Sequence, residues 1–208
     1  MGQDPPARID CWLVAGLGNP GQEYSMTRHN AGFLLVDRLA KFHGIDFPEA
    51  GSAGRIVWAR GTVGAVPVVL SKPLSYMNRS GPPLRRLADQ LQIPVEAVMV
   101  VHDDVDLVFG RIKIKKKGGD GGHRGVMSLI DAFGRDDFVR LRIGVGRPPC
   151  GLTAVEHVLS RFTADETPIF DAVLGKAREA VRAIVCEGVS TAMNRFNGKE
   201  GQINPVNS

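Results

Sequence analysis

The feature that most constrains the fold of this chain is the regular alternation of strand-length apolar runs with longer amphipathic segments. Six runs rich in β-branched residues have the length of strands and occupy residues 12–15, 56–59, 66–70, 98–101, 111–115 and 139–145. Apolar residues at helical spacing lie at 31–42, 82–91, 123–133 and 168–184. Such alternation is typical of a sheet covered by helices on both faces. The sequence therefore predicts a three-layer α/β/α domain with a mixed, mostly parallel twisted sheet.

The composition suits one well-packed domain, because 43% of the 208 residues are hydrophobic and 23% are charged. We assign this domain to residues 10–196, with a loose leader at 1–9 and a disordered tail at 197–208. Three separated cysteines fit neither a disulfide framework nor a metal site, which favours a reducing compartment. No segment reads as a secretory signal or a membrane span. We therefore expect a cytoplasmic monomer with no membrane partner.

Positive charge is concentrated between Arg111 and Arg147. This window holds ten Lys or Arg residues against four Asp, a net charge of +6, whereas the whole chain carries +4. In the run RIKIK the basic residues alternate with isoleucines, and the run VRLRIGVG likewise offers Arg140 and Arg142 on one side of its strand. A solvated surface is the simplest interpretation. However, the lysines continue into the glycine-rich segment GGDGGHRG, which favours phosphate binding.

The segment GLGNPG at 16–21 follows a predicted strand and matches the G-x-G-x-x-G pattern of dinucleotide-binding proteins, with Asp37 at a suitable distance. A dinucleotide cofactor is nevertheless disfavoured, because Asp37 falls inside the helix predicted at 31–42 and the glycines do not open that helix. A tight turn explains the glycines. It does not explain the nearby Tyr24, His29 and Asn30.

Three segments carry a more specific signal: GLGNPGQEYSMTRHNAG at 16–32, KPLSYMNRSG at 72–81 and HDDVDLVFGRIKIKKKGGDGGHRG at 102–125. In this order and spacing they resemble the bacterial-type peptidyl-tRNA hydrolases, over about residues 12–195. The resemblance implies hydrolysis of the ester bond between a peptide and the 3′ ribose of its tRNA. It also implies that no metal and no cofactor is needed, and that the acceptor stem and 3′ end of peptidyl-tRNA are the partner surface.

The resemblance assigns roles to individual residues. It makes His29 the general base and Asp103 the carboxylate that stabilises the active form of His29. Asn19 becomes a catalytic amide that positions the substrate. Contacts to the peptide or tRNA are expected at Tyr24, Tyr76, Asn78, Lys113, Lys115 and Arg142.

Two basic residues and one departure stand out within this pattern. Lys115 and Arg142 match a pair that clamps the 5′-phosphate of tRNA in the family, and Lys113 lies on the same basic run. Arg124 stands where the family has Asn after its GGH segment. Because arginine is long and permanently charged, it can meet a phosphate of the acceptor end or pair with a local carboxylate.

The chemistry of the residues agrees with these roles, since an imidazole can take a proton from water at neutral pH and a carboxylate can orient it. Simpler roles stay open: His29 could cap the following helix, and Asn78 could only shape a turn. A metal site at residues 102–106 is disfavoured because strand alternation separates the side chains. His123 is assigned a structural role, and a nucleophilic Ser80 is disfavoured because no base adjoins it in sequence.

Two rival functions remain. One is a non-catalytic RNA-binding or splicing scaffold of the same fold, which the presence of His29, Asp103, Asn19 and Asn78 argues against. The other is a nucleotide-dependent oxidoreductase, which the helix position argues against. The sequence therefore favours the hydrolase.

Overall fold

The computed structural model describes residues 9–48, 55–198 and 202–203. Within these ranges its strands are β1 (Trp12–Gly16), β2 (Ile56–Val63), β3 (Val66–Pro73), β4 (Val98–Asp104), β5 (Ile112–Lys115) and β6 (Val139–Gly144). They form one sheet in the order β2-β3-β1-β4-β6-β5. The four inner strands are parallel to one another, whereas the edge strands β2 and β5 pair antiparallel with β3 and β6. The mixed, mostly parallel sheet predicted from the sequence is confirmed.

The helices of the described residues are α1 (Ala31–His43), α2 (Gly81–Gln90), α3 (Arg124–Phe133), α4 (Ala154–Leu159), α5 (Glu166–Glu187) and α6 (Val189–Phe196). The sequence predicted four of them and missed α4 and α6. Short 3₁₀ turns precede α1 at Arg28–Asn30 and α2 at Met77–Arg79. None of the described helices combines the length and the apolar character needed to cross a membrane.

The strands bury both faces of the sheet. In β1 the side chain of Val14 belongs to the core on the side of α1, α5 and α6, while Leu13 belongs to the core on the side of α2 and α3. All five residues of β1 are buried, which explains why this strand is a continuous apolar run rather than an alternating one. The three-layer arrangement follows directly.

Gly16 and Gly32, at the two ends of the segment 16–32, let α1 approach the sheet closely. A Cβ atom on Gly16 would lie 2.3 Å from the carbonyl oxygen of Gly32, and one on Gly32 would lie 2.4 Å from the backbone nitrogen of Leu17. Both positions therefore require glycine. Asp37 lies inside α1, where its carboxylate pairs with Lys72. These glycines serve helix–strand packing, in agreement with the decision against a dinucleotide site.

Part of the segment predicted as a disordered tail contacts the edge strand β5. The side chain of Asn197 accepts a hydrogen bond from the backbone N–H of Ile114 (2.7 Å) and donates one to its carbonyl (3.0 Å). The backbone N–H of Ile203 donates to the carbonyl of Gly110 at 2.7 Å. Disorder was predicted because the tail has no apolar face. The contacts are polar, so the hydrophobic pattern does not show them. Residues 1–8 of the leader, and 199–201 and 204–208 of the tail, lie outside the described residues.

Candidate active site

A cavity of about 350 Å³ opens at the carboxyl ends of β1 and β4. From β1 the chain leads to β2 at one edge of the sheet, and from β4 it leads to β5 at the other edge; ligands bind at such switch points in α/β proteins. The cavity brings together most of the side chains that the sequence analysis selected. Among those that line it are Asn19, His29, Tyr76, Asn78, Asp103, His123 and Arg124.

His29 and Asp103 form the centre of this cavity. Nδ1 of His29 lies 2.9 and 3.0 Å from the two carboxylate oxygens of Asp103, whose side chain is 2% exposed. Burial alone raises the pKa of Asp103, but the charges of His29 and His123 and the hydrogen bonds from both rings outweigh it and hold this pKa well below its usual range. The ionised carboxylate can only accept, so the proton of His29 resides on Nδ1. Its Nε2 is left with a free lone pair, as a general base requires.

His123 donates to the same carboxylate from the other side. Its Nε2 lies 2.9 Å from Oδ1 of Asp103. Its Nδ1 accepts hydrogen bonds from the backbone N–H groups of Gly125 (3.1 Å) and Val126 (3.3 Å), which caps α3. A backbone N–H can only donate, so these contacts fix the proton on Nε2. The sequence assigned His123 a structural role at the start of its helix; the structure shows this role and also a contact to Asp103.

The same tautomer argues against a metal ion at this cluster. His29, Asp103 and His123 place possible ligand atoms within 4.8 Å of one another, which is close enough to share an ion. A metal at Nε2 of His123 would need the proton moved to Nδ1, where two backbone donors already point. The three side chains instead form a continuous hydrogen-bonded set.

His102 supports this set from behind. Its Nδ1 donates to the backbone carbonyl of Asp103 at 2.7 Å, and its ring meets the ring of His123 edge-on, with centroids 4.7 Å apart. Burial, aided by the charge of His123, lowers the pKa of His102 to about 3, so this ring stays neutral at physiological pH.

Asn19 has an orientation fixed by its neighbours. Its Oδ1 accepts a hydrogen bond from the backbone N–H of Met77 at 2.8 Å, which leaves Nδ2 to donate into the cavity. The backbone of Asn19 is held by the side chain of Asn30, which accepts from its N–H (2.8 Å) and donates to its carbonyl (3.0 Å). Asn30 received no role from the sequence. Its burial, which requires both ends of its amide to find partners, shows only in the structure.

The remaining walls differ in character. Tyr76 and Asn78 are exposed on the turn before α2, while α4 contributes apolar side chains, among them Val155 and Leu159. The sequence missed α4 because it is short, although its capping box of Thr153 and Glu156 was readable. Tyr24 is not among the residues that line the cavity. It lies half-buried on the 3₁₀ turn Gln22–Tyr24.

The simpler roles left open for these residues find less support. The N-cap residue of α1 is Asn30, without a side-chain cap, while His29 directs Nδ1 to Asp103. No side-chain cap fixes the turn that carries Asn78. Ser80 is fully buried and lies outside the cavity lining, which disfavours it as a nucleophile.

Lys115 and Arg142, the basic pair expected to bind phosphate, are not among the residues that line the cavity. Lys113 and Lys115 are exposed on β5, and Lys113 lies opposite Arg142 of β6 in the antiparallel register. Arg142 is half-buried, and its Nε donates to the carboxylate of Asp104, which itself lines the cavity. The pair of Asp104 and Arg142 thus connects the basic surface to the edge of the cavity.

Arg140 corrects the expectation that both arginines of this strand face outward. It is 2% exposed and donates from Nη1 to the carbonyl of Gly119 (3.0 Å) and from Nη2 to that of Asp136 (2.8 Å). Burial lowers its pKa. The residue shares the polar side of β6 with Arg142, but the glycine-rich loop folds over it. Strand alternation shows only the side on which a residue lies, and a loop can cover that side.

Comparison with known proteins gives one consistent result. Residues 13–204 match the family model described as peptidyl-tRNA hydrolase. The chain is 42% identical to the peptidyl-tRNA hydrolases of Chloroflexus aurantiacus, over 89% of this chain and 98% of that protein, and of Bacillus subtilis, over 90% and 98%. A crystal structure of peptidyl-tRNA hydrolase from Acinetobacter baumannii superposes with a TM-score of 0.85 at 36% identity, over 93% of this chain and 98% of that one.

Proposed function

Because the chain belongs to the peptidyl-tRNA hydrolase family, we infer that it hydrolyses the ester bond between a peptide and the 3′ ribose of tRNA and so frees the tRNA. The observation that carries this inference is the hydrogen-bonded set of His29, Asp103 and His123 in one cavity with a free donor on Asn19. A non-catalytic RNA-binding scaffold has no need for a base with this tautomer.

In the proposed mechanism, Nε2 of His29 takes a proton from a water molecule as the water attacks the ester carbonyl. Asp103 stabilises the imidazolium that forms, and His123 holds Asp103 in place. The proton then passes to the ribose oxygen that leaves. Nδ2 of Asn19 is oriented to donate to a peptide carbonyl or to the developing oxyanion, which supports its role as a catalytic amide.

The binding surface we propose extends outward from this centre. Asn78 and Tyr76 contact the peptide or the 3′ end at the cavity, and Tyr24 contacts the RNA outside it. Lys113, Lys115 and Arg142 bind phosphate along the acceptor stem. Their support is exposure for the two lysines and, for Arg142, a guanidinium held in place by one carboxylate. We propose further that the protein acts in the cytoplasm and as a monomer, since this one chain contributes every residue named here.

The test is release of an N-acetyl-aminoacyl group from tRNA by the purified protein, compared with His29→Ala. We expect the variant to fold normally and to lose roughly 10²- to 10⁴-fold in turnover, the usual contribution of a positioned base. Near-wild-type turnover would contradict the mechanism. If the wild type bound tRNA but released nothing, the RNA-binding scaffold would become the better interpretation.

A further inference from the structure

Arg124 is the residue whose role the sequence left undecided between a local carboxylate and an RNA phosphate. It occupies the first position of α3, directly after His123, and its side chain is exposed at the wall of the catalytic cavity. Among the described residues, its guanidinium has no ion-pair or hydrogen-bond partner. Its charge is therefore available to a ligand.

The local carboxylates are already engaged elsewhere. Three of them line the same cavity, namely Asp103, Asp104 and Asp120. Asp103 accepts from two histidines, and Asp104 accepts from Arg142. Asp120 accepts from the backbone N–H of Gly122 at 2.7 Å. None of the three pairs with Arg124, which disfavours the first of the two alternatives.

Arg124 is also the single permanently cationic side chain among the described residues that line the cavity. Without it, the cavity would present the charges of Asp103 and Asp120 to an anionic substrate, since Asp104 is paired with Arg142. The start of α3 adds partial positive charge at the same place, because helix N-termini favour anions.

Resting on the function proposed above, we propose that Arg124 binds the phosphate attached to the 5′ oxygen of the terminal nucleoside of the substrate. In every peptidyl-tRNA this group lies one ribose away from the ester that is cut, so an ester next to His29 brings the phosphate to the rim of the cavity. A carboxylate on the peptide is present in only some substrates. Arg124 thereby helps to position the ribose for reaction, in addition to the more distant contacts of the basic pair.

The experiment compares two small esters that differ in this phosphate alone. One is N-acetyl-leucyl-adenosine with a free 5′ hydroxyl, and the other carries a 5′-methyl phosphate. The wild type is compared with Arg124→Gln, which removes the charge, and Arg124→Lys, which keeps it. The matched control is Arg86→Gln, since Arg86 is exposed on the neighbouring helix α2 and lies outside the cavity lining.

We expect the methyl phosphate to raise kcat/KM of the wild type and of Arg86→Gln by roughly 10-fold, the size of one charge-assisted hydrogen bond. Arg124→Gln should lose this gain, so that it cuts the two esters at similar rates, and Arg124→Lys should retain part of the gain. An undiminished gain in Arg124→Gln would overturn the proposal, as would a wild type without any gain. An equal loss on both esters would also overturn it, because Arg124 would then act on the ester or the fold.

Two further arms separate the remaining explanations. If the wild type prefers N-acetyl-aspartyl over N-acetyl-leucyl esters and Arg124→Gln abolishes that preference, the ligand is a peptide carboxylate and the phosphate proposal is wrong. If neither small ester is cut, the slope of log kcat/KM against log salt for N-acetyl-aminoacyl-tRNA replaces the comparison, and equal slopes in wild type and Arg124→Gln overturn the proposal. Failure of the wild type on that tRNA would refute the proposed function itself.

Discussion

Asp103→Asn should switch the proton on His29 to the wrong nitrogen. The carboxylate accepts from Nδ1 of His29 and from Nε2 of His123, and the backbone donors at Nδ1 of His123 prevent that ring from changing tautomer. An asparagine keeps its one oxygen, Oδ1, for His123, and its Nδ2 takes the place of Oδ2, which lies 3.0 Å from Nδ1 of His29. Two N–H donors would then face each other, and we expect His29 to relieve this clash by moving its proton to Nε2 and accepting at Nδ1. The base is lost although no side chain has been displaced.

The expected loss in kcat is roughly 10³- to 10⁴-fold, or about 4 to 5.5 kcal/mol of transition-state stabilisation, as for a triad whose histidine is held in the wrong tautomer. The acid limb of the remaining activity should move to lower pH, because the variant lacks the negative charge that stabilises imidazolium. Turnover of N-acetyl-aminoacyl-tRNA across the pH range measures both effects, and ¹⁵N NMR of the histidine rings reports the tautomer directly.

The matched control is Asp106→Asn, since Asp106 is exposed on the same segment and pairs with Arg147. It should leave kcat and the acid limb unchanged. A folded Asp103→Asn variant with kcat within about 10-fold of wild type would refute the reasoning. So would a full loss of activity with the proton still on Nδ1 of His29, because the loss would then have another cause.

Three further outcomes are expected. Folding lowers the pKa of His102 from 6.5 to about 3. Between these values the unfolded chain binds one proton more than the folded chain, so the free energy of unfolding falls as the pH drops, by about 1.4 kcal/mol per pH unit. Between pH 7 and pH 4 the free energy of unfolding in urea should therefore fall by roughly 3 kcal/mol less in His102→Asn than in wild type; an equal fall would contradict this. Asn19→Asp should narrow the preference for blocked over free aminoacyl-tRNA, since a carboxylate cannot donate to a peptide carbonyl and attracts a free ammonium; an unchanged ratio of kcat/KM values would remove Asn19 from this role. Lys115→Ala should weaken deacylated tRNA binding and flatten its log-log salt slope by roughly 0.7 to 0.9, with the maximal rate retained, whereas a slope equal to wild type would favour a solvated face.

The sequence predicted the core of the fold because buried parallel strands are long apolar runs and the helices between them keep helical spacing. It did not predict α4, whose six residues are too few for periodicity to show. Arg140 shows a second limit, since a loop distant from β6 in sequence decides whether a residue on its polar side reaches solvent.

The candidate site was predictable in its members and less so in its connections. Side-chain types and family motifs pointed to His29, Asp103 and Asn19, and the structure places them in one cavity. The tautomer of His29 depends on a carboxylate 74 residues away, and that of His123 depends on the backbone of its own helix. Such dependence needs three-dimensional geometry. From residue type alone, the sequence therefore predicted a structural role for His123 but not its hydrogen bond to Asp103.

The hydrogen bonds of Asn197 at β5 bear on where this protein can be shortened. Its side-chain amide occupies the outward N–H and C=O of Ile114, as a seventh strand would. A chain cut after Phe196 keeps the six helices of the described residues but uncovers that pair of backbone groups, and bare strand edges invite pairing between molecules. Shortened versions intended for concentrated samples should therefore end beyond Ile203, which still contacts Gly110. In a chain that ends earlier, turbidity from pairing at the edge of β5 would look like unfolding of the core.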